Sequence, residues 1–133
     1  MITEDYVSFE TAKLLKEKGF DCACEVWYSE YTSQFGGEKY TVIEFDNHNR
    51  FNENYKFVCY APTLQMAMKW LREKYNIHIE PRYFPTPNIY RYVIIHSPAA
   101  FENIDSHPQY FNTYEEACEE AIKYCLENLI NAE

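Results

Sequence analysis

Stretches with apolar residues at helical spacing alternate along this chain with stretches in which β-forming residues predominate. The clearest helix is central. Pro62 ends the segment before it, and Thr63 can accept a hydrogen bond from the first free N–H groups. The apolar positions that follow recur every three or four residues and line one face: Leu64, Ala67, Met68, Leu71 and Tyr75. The pattern therefore predicts a helix over 63–75 with strands on both sides.

Two further stretches, one near each end of the chain, have helical spacing. Ser8 is a typical N-cap and Gly19 a typical stop for the first helix. Its apolar face consists of Phe9, Ala12 and Leu15. In the last helix Thr113 and Glu116 form a capping box. The apolar stripe of that helix consists of Cys118, Ile122, Cys125 and Leu129.

The segment between the first two helices predicts a hairpin. Strands at 24–31 and 40–45 flank Gly36-Gly37, a two-residue turn signal, and this turn would place Tyr28 opposite Phe45. One face would then carry Tyr28, Ile43 and Phe45, and the other Trp27, Tyr31, Tyr40 and Val42. Because both faces are apolar, we expect a helix, a long loop or another subunit to cover each.

A third strand at 55–60 leads into the central helix, and a second hairpin follows it at 76–96. Six apolar residues would share one face of this hairpin: Ile77, Ile79, Tyr83, Tyr90, Tyr92 and Ile94. Arg82 would lie opposite Arg91, which is unfavourable unless Glu80 bridges them, the register slips or an anion binds there. Residues 97–112 lack periodicity and form a long loop, and whether it covers a pocket is open.

These elements predict a single domain over residues 1–133 with an α+β fold. We expect an antiparallel sheet of about five strands packed by three helices, in the order α-βββ-α-ββ-α. The three helix starts also resemble one another, each with a hydroxyl cap, an apolar residue, Glu or Gln, any residue and then Ala. This similarity indicates a weak internal αβ repeat or the convergence of capped amphipathic helices.

The composition is acidic and rich in aromatic residues, with a net charge of −9 and 18% Phe, Trp and Tyr. An acidic chain repels phosphate, so nucleic-acid binding is unfavourable. The sequence contains no apolar run of membrane-spanning length and no signal-peptide pattern, so we expect a cytoplasmic protein without a membrane contact. Its five Cys fit reduced thiols.

No constellation of residues indicates catalysis. The four His are scattered, and there is no nucleophile elbow and no glycine-rich phosphate loop. The polar loop at 46–54 is rich in Asn and could hold a cation, but Asn and Asp are ordinary turn formers. We therefore expect no enzyme activity, no cofactor and no metal.

The aromatic residues of the two hairpins suggest instead a protein-interaction module, with an unknown protein partner or self-association. The candidate interaction surface consists of Trp27, Tyr31, Tyr40, Arg82, Tyr83, Tyr90, Arg91 and Tyr92. One alternative is binding of nucleic acid or an anionic ligand by the Arg/Tyr hairpin 76–96, since basic residues outnumber acidic ones from Lys69 to Arg91. Another is an acidic DNA mimic built on Glu115–Glu120.

Three stretches resemble small uncharacterised proteins of phages and mobile elements in gut Bacteroidetes. These stretches are Ser8–Phe20, Ala61–Glu73 and Tyr114–Leu126. The resemblance covers the three helices, about a third of the chain, and neither hairpin. It implies a prophage-type accessory protein in a bacterial cytoplasm, and it implies no activity and no site residues.

Overall fold

The computed structural model describes residues 2–45, 54–96, 103–106 and 109–130, with the backbone alone for 103–106. Over this part of the chain the elements are α1 (Phe9–Glu17), β1 (Val26–Thr32), β2 (Lys39–Phe45), β3 (Tyr55–Tyr60), α2 (Leu64–Tyr75), β4 (Ile77–Phe84), β5 (Ile89–His96), β6 (Asn103–Ser106) and α3 (Tyr114–Tyr124), which continues into a π-helical turn at Cys125–Leu129. The predicted α+β class, the three helices and their order among the strands are confirmed. The structure adds β6, which lies in the segment without periodicity.

The described strands form two antiparallel sheets, ordered β2-β1-β3 and β4-β5-β6. The described chain thus runs through a helix and three strands twice before α3. The two sheets are connected differently, because β1 is central in the first and β5 is central in the second. The two halves that begin with similar helix starts therefore have the same order of elements, but their strands are arranged differently within the sheets.

Each helix begins at the hydroxyl residue that the sequence predicted as its cap. Ser8, Thr63 and Thr113 each accept a hydrogen bond from the backbone N–H three residues further on. Such a cap contributes about 1 kcal/mol by satisfying a donor that the helix leaves free. At the other end, α1 is followed by Gly19 with a φ of 100°, and α2 by Asn76 in the left-handed region with a φ of 54°.

The helices connect the two sheets through one continuous core. Helix α1 packs on β3 and α3, whereas α2 and α3 pack on each other and on the second sheet. Side chains from every helix and from both sheets are almost fully buried, including Leu15, Cys59, Leu71, Ile94, Ile122 and Leu126. Burying a Leu or Ile side chain contributes roughly 1.5–3 kcal/mol, so this core provides most of the driving force for folding.

The end of the last helix differs from the predicted stripe. Leu126 and Ile130 are buried, whereas Leu129 is only partly buried. The π-helical turn at Cys125–Leu129 explains the difference. Its hydrogen bonds run from residue i to i+5, so the turn is wider and a step of four residues stays on the buried face.

The register of the first hairpin differs from the prediction by two residues. Tyr28 lies opposite Ile43, not Phe45, because the connection is longer than Gly36-Gly37 alone and closes with Ser33 N–H donating to Glu38 O at 2.7 Å. Both glycines still have positive φ values, 93° and 69°. Since side chains alternate with a period of two, a two-residue shift leaves every predicted face unchanged.

The second hairpin has the predicted register throughout. Arg82 lies opposite Arg91, and Ile79 lies opposite Ile94. The predicted apolar face is therefore confirmed, and it packs against α2 and α3. Strand β4 lies at the edge of its sheet, a position that accommodates Pro81, which has no N–H to donate to a second neighbouring strand.

Candidate functional site: the aromatic face of the first sheet

One face of the first sheet presents nine side chains in three rows across β2, β1 and β3. The rows are Glu44–Trp27–Tyr60, Val42–Ser29–Phe57 and Tyr40–Tyr31–Tyr55. Seven of these nine side chains are aromatic or aliphatic, and the two polar ones are Ser29 and Glu44. We refer to these nine residues as the aromatic face. It contains the three members of the predicted interaction surface that come from the first hairpin.

A β-bulge in β3 extends this face. Ser29 pairs with Phe57 and Tyr28 with Cys59, so Val58 is the extra residue. Strict alternation would place Phe57 and Tyr60 on opposite faces, but the bulge brings both to the same one. Their ring centroids lie 5.0 Å apart. The sequence identified the strand but gave no sign of the bulge, so the contribution of β3 to the site was missed.

The outer part of the aromatic face is accessible. Tyr40 is 49% exposed and Phe57 is 47% exposed. The Tyr31 ring connects β2 to β3, with its centroid 6.5 Å from that of Tyr40 and 4.9 Å from that of Tyr55. The Tyr40 hydroxyl donates to the Glu38 carboxylate, and this hydrogen bond raises the pKa of Tyr40. Rings held in this way offer a large apolar contact area with little conformational freedom to lose.

The inner part of the aromatic face holds a buried carboxylate. Glu44 is only 5% exposed and Ser29 only 2%. Glu44 Oε2 accepts hydrogen bonds from Trp27 Nε1–H and from Ser29 Oγ–H, both at 2.9 Å. Glu44 Oε1 is buried as well, and it has no hydrogen-bond partner in the structure as described. An unpaired buried carboxylate oxygen is costly, so this atom marks a position that a ligand could satisfy.

The opposite face of the first sheet is covered by α1 and the segment before it at Tyr28, whereas Ile43 and Phe45 of β2 on this face are 41% and 39% exposed. Tyr28 Oη–H donates to Val7 O at 2.7 Å, and the Tyr28 ring lies 5.4 Å from that of Phe9. Burial raises the pKa of Tyr28. Among the described residues no helix packs across the aromatic face. Helix α1 reaches it at the β3 edge, where Lys16 Nζ lies 5.8 Å from the Phe57 ring centroid.

A cavity of about 400 Å³ opens at this β3 edge. It is lined by Ala12, Lys16, Gly19, Phe20, Asp21, Phe57, Cys59 and Tyr60. Lys16 Nζ donates to Val58 O at 2.6 Å, so its ammonium group is already engaged at the strand edge. The cavity therefore lies between α1 and the β3 edge and adjoins the aromatic face at Phe57 and Tyr60.

The second hairpin distributes its predicted site residues over two faces. Arg82 and Arg91 lie on one face, and Tyr83, Tyr90 and Tyr92 lie on the other. Tyr92 belongs to the core, because it is 3% exposed and stacks on Phe111 at 5.9 Å between ring centroids. Burial raises the pKa of Tyr92 to about 12. Tyr83, by contrast, is 50% exposed.

The two arginines have partners of their own. Arg82 pairs with Glu80 on the same strand, with 3.2 Å between Nη2 and Oε2. The Arg91 guanidinium lies 5.2 Å from the Tyr110 ring centroid. The unfavourable Arg82–Arg91 pairing is thus relieved at Arg82 by Glu80, which was one of the explanations left open by the sequence.

An acidic groove runs between the N-terminal segment and α3, with a volume of about 600 Å³. Its lining residues are Asp5, Tyr6, Ser8, Leu64, Phe111, Glu115, Glu116, Glu119 and Glu120. Glu119 Oε1 accepts from Ser8 N–H at 2.9 Å. The sequence predicted the acidic turn of the helix but not Asp5, which reaches the groove because Leu64 N–H donates to Asp5 O at 2.9 Å.

A metal site requires a cluster of ligating side chains, and a nucleophilic thiol requires a pKa that is not raised. Within the described ranges no group of three or more His, Cys, Asp or Glu side chains is arranged to hold a metal ion. The loop at 46–54 considered for a cation falls outside those ranges except for Asn54, and so do 97–102 and 107–108 of the segment 97–112. Burial raises the pKa of Cys118 to about 11 and also raises that of Cys59, which makes both thiols poor nucleophiles.

No helix in the described residues is long and apolar enough to cross a bilayer. Comparison with known proteins gives no match, since no family model, curated protein or solved structure is detectably similar to the chain. The phage and mobile-element resemblance of the three helices therefore stays a prediction. The function has to be inferred from the chemistry of the surfaces.

Proposed function

We propose that this protein is a protein-interaction module that binds its partner through the aromatic face of the first sheet. The observation that supports this most is the combination of exposed Tyr40 and Phe57 with a buried carboxylate, Glu44, whose Oε1 has no described hydrogen-bond partner. Exposed rings around a dehydrated polar group are typical of the centre of a protein interface. The role as a prophage-type cytoplasmic accessory protein, which the helix resemblance implies, is part of the same proposal.

Charge adds a preference for the kind of partner. The chain has a net charge of −9, so association with a basic surface is favoured at long range. Self-association would have to bring two acidic copies together. It remains compatible with a small apolar contact, and a sedimentation measurement on the purified protein distinguishes it from binding of another protein.

Paired variants test the proposal. We expect the tagged protein to retain a stoichiometric protein partner in cell extract, and Tyr40→Ser with Phe57→Ser to lose it. The control variant carries Tyr83→Ser with Phe84→Ser, two aromatic residues of the second hairpin that are 50% and 38% exposed. This control should retain the partner at wild-type level, as measured by quantitative mass spectrometry. Equal retention by both variants, or loss in the control alone, would contradict the proposal.

A second candidate function uses the acidic groove. Glu115, Glu116 and Glu120 are exposed and lie beside Asp5, which is the arrangement that an acidic mimic of DNA requires. Replacing these three glutamates with Gln should then release a basic, DNA-binding partner, while the Tyr40 and Phe57 variant retains it. The same capture experiment therefore separates the two functions.

The Arg/Tyr hairpin has no comparable support. A single-strand binder needs stacking rings and cations on the same surface. Here the register separates Arg82 and Arg91 from the three tyrosines of the hairpin, and Tyr92 is buried. The ring that does lie beside a cation, Tyr110, is already in contact with Arg91. We therefore expect no binding of single-stranded DNA at low salt, as a fluorescence-anisotropy titration would measure.

A further inference from the structure

We propose that Glu44 and the aromatic side chains around it receive an arginine side chain of the protein partner. This inference rests on the proposed function, because it specifies the chemistry by which the aromatic face recognises its partner. It is drawn from the free acceptor atom of Glu44, from the rings that share its face, and from the negative charge of the whole chain.

The first step of the argument is the hydrogen bonding of the carboxylate. Glu44 Oε2 already has two donors, Trp27 Nε1–H and Ser29 Oγ–H, both at 2.9 Å. These bonds hold the carboxylate in a fixed orientation against the strand. Oε1 has an accessible area below 1 Å² and no partner in the described part of the chain. One acceptor atom therefore lacks a described donor in a group that is otherwise fully positioned.

The second step is solvation. Removing a carboxylate from water costs free energy. Glu44 is 95% buried, so its dehydration takes place when the protein folds and not when a ligand binds. A cation that reaches Oε1 therefore interacts at low dielectric without dehydrating the carboxylate again. Since Oε1 has no solvent contact, the cation enters by displacing neighbouring side chains rather than water.

The third step is the choice of cation. Trp27 lies directly opposite Glu44, and Tyr60 lies opposite Trp27 on the other side. Because Trp27 directs its N–H edge at Oε2, a cation on Oε1 gains from this ring by lying over its negative face. A guanidinium group is planar, stacks on rings and is more weakly hydrated than an ammonium group. A single N–H to Oε1, with the guanidinium plane against the rings, uses these properties together, so arginine fits this position better than lysine.

Titration with a matched pair of small probes tests the inference. The probes are N-acetyl-arginine amide and N-acetyl-citrulline amide, which have nearly the same shape but differ in charge. The readout is the Trp27 indole N–H resonance in the Trp70→Phe variant, which leaves one indole signal since the chain has two Trp. Trp70 packs on Phe20 and Tyr75, so this substitution keeps an aromatic ring in place.

We expect arginine amide to shift this resonance saturably and citrulline amide to bind about tenfold more weakly or worse, as expected for the loss of one charge-assisted hydrogen bond. Glu44→Gln should abolish the arginine response and still unfold cooperatively. The control is Glu30→Gln on the neighbouring strand β1, because Glu30 lies on the opposite face of the sheet and pairs with Lys39 at 3.6 Å. This control should keep the wild-type response.

An equal response to both probes, no saturable response, or a full arginine response in Glu44→Gln would each overturn the inference. The comparison of the two probes needs no substitution at Glu44, so a poorly folding variant does not weaken the test. A partner that depends on Tyr40 and Phe57 without any arginine response would overturn this inference and leave the proposed function standing. An arginine response without a captured partner would overturn the assignment to a protein side chain.

Discussion

The two sheets of this protein carry similar residues on one face, but that face is packed against helices in one sheet and is not covered by a described helix in the other. Each has three antiparallel strands, follows a helix capped by a hydroxyl residue and carries several tyrosines on one face. In the second sheet that face packs against α2 and α3, and Tyr92 becomes a core residue. In the first sheet no described helix crosses the aromatic face, and Trp27 on this face donates a hydrogen bond to the buried Glu44. A tyrosine-rich strand is therefore part of a core or of a surface depending on where the next helix packs.

The number and position of the helices explain the difference. Helices α2 and α3 both pack on the second sheet, whereas α1 packs on the face of the first sheet that carries Tyr28. The aromatic face is thus the side of the first sheet on which no helix of the described chain packs. The exposed rings on this side, Tyr40 and Phe57, are the basis for our proposal that a partner binds there.

The largest effect is expected when a charge is placed in the core that both sheets share. Leu71 is 0% exposed, so Leu71→Asp buries an unpaired carboxylate and should abolish cooperative unfolding, because its cost of several kcal/mol rivals the total stability. Met66, on the same helix, is 45% exposed, and Met66→Asp should leave the fold intact. Thermal melts followed by circular dichroism compare the two. A folded Leu71→Asp protein would show that the core is assigned wrongly.

A tyrosine from each sheet tests the contrast directly. Tyr92→Ala should lower the free energy of unfolding by about 3–5 kcal/mol, since it empties a packed position. Tyr40→Ala should cost less than about 1 kcal/mol, because half of its side chain is exposed. Urea denaturation gives both values. Similar costs at the two positions would mean that the aromatic face is structural rather than free for binding.

Alkaline pH provides a milder test of the same contrast. Burial raises the pKa of Tyr92 from 10.0 to about 12, so the unfolded chain ionises first. The stabilisation from keeping Tyr92 protonated is complete below pH 10 and is lost as pH rises from 10 towards 12. Tyr92→Phe should therefore flatten the decline of the urea midpoint across this window. A decline unchanged in Tyr92→Phe would argue against a buried hydroxyl.

The smallest effect is expected at the exposed edge of the second sheet. Arg82 and Glu80 are both about half exposed and 3.2 Å apart, and an exposed ion pair contributes about 0.2–1 kcal/mol. Arg82→Ala should therefore change the free energy of unfolding by no more than this. High salt should reduce the difference between the variant and the wild type. A larger cost would indicate that this edge is packed against other residues.

Much of the fold follows from local patterns in the sequence. The caps Ser8, Thr63 and Thr113 and the buried faces of the helices follow from hydroxyl residues and helical spacing. The faces of both hairpins follow from alternation, and at the first hairpin they survived a two-residue error in register because the error was even.

The candidate site was less predictable, because it depends on features without a local signature. The bulge at Val58 adds Phe57 and Tyr60 to the aromatic face, and alternation alone would have separated them. The division into two sheets depends on where α1 and α3 pack, which is a tertiary choice. Glu44 could have been identified from the sequence by one feature, since an acidic residue within the apolar run Val42-Ile43-Glu44-Phe45 is unusual in a strand.

Photo-crosslinking at one position in each sheet tests the central claim most directly. A benzoyl-phenylalanine is placed at Tyr40 or at Tyr83, which are 49% and 50% exposed, and the cells are irradiated. The account predicts a discrete crosslinked product from position 40 and none from position 83. Crosslinking from position 83 alone, or equally from both positions, would contradict the assignment of the binding surface to the first sheet.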